Sequence, residues 1–94
     1  MQFRITPHAG HAAPTPPADA IDLLWQRLGA SRDGMTFARV GPELTATWGE
    51  DVPASMERDE RAELGRRAVL AILRDVCESS PDLVLEWFAV GFFR

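Results

Sequence analysis

From Asp82 to Arg94 the chain is apolar in both strand parities. Leu83, Leu85, Trp87, Ala89 and Phe93 alternate with Val84, Phe88, Val90 and Phe92, and only Glu86 interrupts the second row. A strand with one solvated face alternates apolar with polar residues, so this pattern predicts a strand covered on both sides. The 94 residues make one domain, 1–94, and a single helical layer covers one face of its sheet. The second face is expected to meet a partner chain, a ligand or a long loop.

The rest of the chain supplies the elements around that strand. Gln2 to Thr6 alternate so that Phe3 and Ile5 share a side, a short strand that Pro7 ends. Residues 7–17 carry five of the chain's proline and glycine residues (Pro7, Gly10, Pro14, Pro16, Pro17) and read as a flexible loop. Thr15-Pro16, followed by Asp19 and Asp22, reads as a helix entry. Ile21, Leu24, Trp25 and Leu28 then fall on one stripe, and Gly29 stands at the exit. Met35 to Val40 and Leu44 to Trp48 form a hairpin across Gly41-Pro42-Glu43, with Met35 and Phe37 sharing a face with Leu44, Ala46 and Trp48.

Between about Ser55 and Ser79 the spacing predicts a second helix, with Ala62, Gly65, Val69, Ile72 and Val76 as its buried stripe. Gly65 costs about 0.5 to 1 kcal/mol relative to alanine within a helix, so its place in that stripe points to a close backbone approach. Leu64 and Leu70 lie toward the polar flanks, where either can touch a second chain. Strand, helix, strand, strand, helix, strand is the ferredoxin-like βαββαβ order. The expected fold is therefore α+β: a small two-layer sandwich with a four-stranded antiparallel sheet and two helices on one face.

Composition narrows the function classes. A formal charge of −4 argues against nonspecific nucleic-acid binding, which needs cationic neutralisation of phosphates. No apolar run reaches the roughly 20 residues that cross a bilayer, and the amino terminus does not resemble a secretory signal, so cytoplasmic residence is expected. The single cysteine, Cys77, sits in a helical apolar stripe and reads as a small buried hydrophobe.

Chemistry-bearing clusters are sparse. His8 and His11 have no further ligands at convincing spacing, so no metal and no cofactor are expected. Glu57 to Arg67 mixes charges at i, i+4 spacing, as a solvated helix face does, while Arg66, Arg67 and Arg74 can also serve as partner contacts. Glu86, inside an apolar strand, is the best acid–base candidate because burial raises a carboxylate's proton affinity. It lacks a defined partner group, and the simpler reading is a charge that keeps a strand edge from pairing. Trp25, Trp48 and Trp87 follow the core periodicity of their elements and read as packing residues.

The expectation is a non-catalytic interaction module that homodimerises or binds a protein partner through the open sheet face. Val84, Phe88, Val90, Phe92 and Phe93 would be the contacts there, with Arg66, Arg67 and Arg74 adding cationic ones. The alternative is a dimeric α+β barrel enzyme or ligand-binding protein with Glu86 as acid or base. An acidic mimic of nucleic acid is disfavoured, since the negative charges are interleaved with arginines.

Overall fold

The computed structural model describes residues 1–8, 15–49 and 52–92, with Phe92 described by its backbone alone. It is an α+β structure of two helices and an antiparallel sheet of five strands. In chain order these are β1 (Gln2–Pro7), α1 (Ala20–Leu28), β2 (Ser31–Arg32), β3 (Met35–Val40), β4 (Glu43–Trp48), α2 (Arg58–Glu78), a 3-10 turn (Leu85–Trp87) and β5 (Phe88–Phe92). The strand order is β2-β3-β4-β1-β5, so the amino-terminal strand lies inside the sheet. Phe3 stands opposite Ala46 on one side and Phe92 on the other, and Ile5 opposite Leu44 and Val90.

The fifth strand departs from the expected four. Asp33 and Gly34 both take positive φ (51 and 76), the conformation of a type I′ turn, which folds Ser31 and Arg32 back against Thr36 and Met35. A second departure is the start of α1. Helix begins at Ala20, not at Thr15-Pro16; Pro17 disfavours the helical region for Pro16 before it. The exit at Gly29 is as expected, with φ 75 and its N–H donating to the Trp25 carbonyl.

One hydrophobic cluster lies between the helices and one sheet face. Phe3, Ile5, Met35, Phe37, Leu44 and Ala46 meet Ile21, Leu24 and Leu28 of α1 and Val69, Ile72, Leu73 and Val76 of α2. Trp25, Trp48 and Trp87 pack half-buried against it, which is the packing role expected of them. At Gly65 α2 presses close on the sheet: a methyl group there would stand 2.5 Å from Phe3 Cζ and 2.7 Å from Trp48 Cε3.

The carboxy-terminal segment corrects the central expectation. It is not one strand apolar on two faces. Leu83 is buried, Leu85 to Trp87 coil into the 3-10 turn, and β5 begins only at Phe88. Three residues per turn bring Leu85 and Phe88 to the same side, so the buried row changes from odd positions to even ones. Both apolar parities thus serve a single core. Phe88 (6% exposed) and Val90 (9%) face the chain's own helices instead of an open surface.

Candidate functional site

The face turned away from the helices carries Gln2, Arg4, Thr6, Thr36, Ala38, Val40, Glu43, Thr45, Thr47, Ala89 and Gly91, read from the register and the burial alternation. These are small and polar strand formers, as a solvated antiparallel face requires. Arg4 clamps Glu43 across the neighbouring strand with two hydrogen bonds, Nε to Oε2 at 2.8 Å and Nη2 to Oε1 at 2.9 Å. Val40, 59% exposed beside the Gly41-Pro42 turn, is the only large apolar side chain fully presented there among the described residues. Among the described residues the face offers no aromatic anchor.

An apolar concavity exists elsewhere. The end of β4, the Asp33-Gly34 turn and the outer flank of α2 enclose an open groove of about 530 Å³, floored by Trp48, Val52, Leu64 and Ala68 and rimmed by Asp33 and Arg67. Trp48 is the last residue of β4 on the core side, pressed by α2 at Gly65 yet only half-buried. Leu64 precedes the Gly65 contact by one residue, about 100° around the helix. It is thereby turned out of the buried stripe and stays 42% exposed. Leu70, the other flank leucine, packs against the core.

Of the described residues singled out from the sequence, Arg66 and Val90 meet, while Arg67, Arg74 and Val84 lie apart from one another. Arg67 reaches the groove, holding Glu63 at 3.3 Å one helical turn back. Arg66 instead donates from Nε to the Val90 carbonyl at 3.4 Å, and Arg74 is exposed farther along α2. Val84 is half-buried ahead of the 3-10 turn. The Phe92 side chain, Phe93, His11 and residues 9–14 of the loop lie outside the described residues. His8 is exposed, and its backbone N–H donates to the Trp87 carbonyl.

Glu86 is not inside a strand. It lies exposed on the 3-10 turn, outside the apolar burial expected of it. Its charge acts on a neighbour: burial pushes the half-buried Cys77 thiol above its usual range, and the Glu86 carboxylate adds to that shift. A thiol held protonated is a poor nucleophile, in keeping with its reading as a small hydrophobe. Among the described residues no three His, Cys, Asp or Glu side chains gather as a metal site would need.

Sequence reasoning missed Asp33, Trp48 and Val52 as groove residues. The available signal was Asp33-Gly34, a turn dipeptide just ahead of a strand-forming run, which places a turn where the groove's rim stands. Leu64 beside Arg67, off the buried stripe, was the other. No protein-family model matches the chain, and no curated protein or solved structure matches it either.

Proposed function

We propose that this protein is a non-catalytic protein-interaction module, and that the groove between Trp48 and Leu64 takes an apolar side chain of its partner. The observation that carries this reading is the pairing of an exposed leucine with a half-buried tryptophan around a concavity. Aromatic and aliphatic anchors in a pocket with a polar rim are the usual centre of an interface. Asp33 and Arg67 on the rim supply charges of opposite sign for orientation. The sheet face loses its earlier claim, since Phe88 and Val90 are core residues.

The four longer strands, in the order β3-β4-β1-β5 with antiparallel neighbours, support a ferredoxin-like scaffold on which β2 is an edge addition. A cytoplasmic setting fits a chain with one cysteine and so no internal disulfide. No described helix is long and apolar enough to cross a membrane.

Peptide selection against the native protein, with counter-selection against Leu64→Asp, tests the reading. Selected peptides should share an apolar anchor residue, and in nuclear magnetic resonance titrations they should shift the amides of Trp48, Leu64 and Ala68. Shifts confined to Arg4, Thr45 and Ala89 would place binding on the sheet face and overturn it.

A further inference from the structure

The two edges of the sheet are unequal. β2 ends it with two residues, whereas β5 ends it with five. Which β5 backbone groups point outward follows from the ladder. His8 donates to the Trp87 carbonyl, and Pro7, which has no N–H, stands opposite Phe88. In an antiparallel ladder bonded pairs alternate with non-bonded ones, so Ala89 and Gly91 bond to Thr6 and Arg4. The N–H and C=O groups of Phe88, Val90 and Phe92 therefore face away from β1.

Among the described residues, two of these outward groups are engaged by the chain itself. The Phe88 N–H donates to the Leu85 carbonyl of the 3-10 turn, and the Val90 carbonyl accepts from Arg66 Nε at 3.4 Å. Arg66 is 41% exposed and also lies 3.7 Å from Glu63. One long hydrogen bond from a partly exposed arginine is a weak closure.

We propose that β5 is the site at which a second copy of this chain adds, antiparallel and two-fold symmetric about Val90, and that Arg66 is the latch that holds this edge closed. The outward set is compatible with this symmetry. Val90 meets its equivalent, and Phe88 meets Phe92 through the Phe88 carbonyl and the Phe92 N–H, while the Phe88 N–H stays with Leu85, as an isologous contact between equivalent edges allows. Two Arg66 side chains would meet at that axis, and their like charges add to the closure. The same device protects natural sheet edges from unwanted strand addition. This interface is separate from the groove at Leu64.

Sedimentation of Arg66→Ala across a dilution series tests the latch. Freed of the competing hydrogen bond and of the charge repulsion, the variant should dimerise with a dissociation constant roughly tenfold lower than the native chain's. Arg67→Ala, one residue along the same helix, should behave as the native chain does. Adding Val90→Pro, which deletes the central outward N–H but no bond to β1, should return Arg66→Ala to monomer while circular dichroism reports an intact fold. If that double variant unfolds, hydrogen exchange decides: the Val90 and Phe92 amides of Arg66→Ala should slow as concentration rises. Native-like sedimentation of Arg66→Ala, association that survives Val90→Pro in a folded chain, or no slowing at those amides would overturn the proposal.

Discussion

Gly65→Ala sets two opposed effects against each other. Within α2, alanine is the better helix former by about 0.5 to 1 kcal/mol. The added methyl, however, would stand 2.5 and 2.9 Å from Phe3 Cζ and Cε2 and 2.7 Å from Trp48 Cε3. Carbon atoms settle at about 3.5 to 4 Å, so each contact is short by close to an ångström. Phe3 cannot yield easily: its ring is fully buried and its strand is bonded on both sides. Overpacking of this kind costs about 1 to 3 kcal/mol, and the larger half of that range applies where the obstructing ring is pinned. Overpacking wins, and the expected net loss is about 1 to 2 kcal/mol, or roughly 4 to 15 °C in Tm for a domain of this size.

Urea unfolding followed by tryptophan fluorescence measures that loss as a lower midpoint with an unchanged slope. A double-mutant cycle isolates the cause. In a Phe3→Leu background, where the ring edge is gone, Gly65→Ala should cost at least 0.5 kcal/mol less, about the smallest coupling expected of residues in contact. A Gly65→Ala protein as stable as the native one, or equal costs in both backgrounds, would refute the close-approach reasoning.

Three further outcomes follow from single groups. The Arg27 guanidinium, hydrogen-bonded to Asp82 at 3.0 Å, holds that carboxyl below its usual range. The stability it contributes is present above the unfolded carboxylate range and lost as pH falls through the folded value. The stability difference between native protein and Asp82→Asn should therefore shrink on acidification, and a difference that grows would reject the pairing. Glu86→Gln should lower the Cys77 pKa and speed its alkylation at mildly alkaline pH, while burial, the larger cause, keeps the reaction slower than that of a free thiol. The Trp87 indole N–H is buried with no hydrogen-bond partner among the described residues. Trp87→Phe removes that donor and should cost less than about 1 kcal/mol in urea unfolding, because relief of an unsatisfied buried group offsets the lost area.

Most of the elements could be read from residue spacing. The stripe Ile21, Leu24 and Leu28, the faces of the Met35–Val40 hairpin, and the meaning of Gly65 all depend on local periodicity or on a single residue's conformational cost, and the tertiary structure repeats them. By itself the sequence determined an α+β chain with two amphipathic helices and a central hairpin. What tertiary structure alone decided was the phase of the carboxy-terminal segment. Periodicity reports which parities are apolar, yet a strand covered twice and a strand that changes its buried row across a 3-10 turn leave the same pattern. Only the packing of Leu85 and Phe88 into one core separates the two. The groove was hidden for a similar reason: Trp48 and Leu64 lie in different elements, and their meeting depends on how α2 docks on the sheet, which no local pattern encodes.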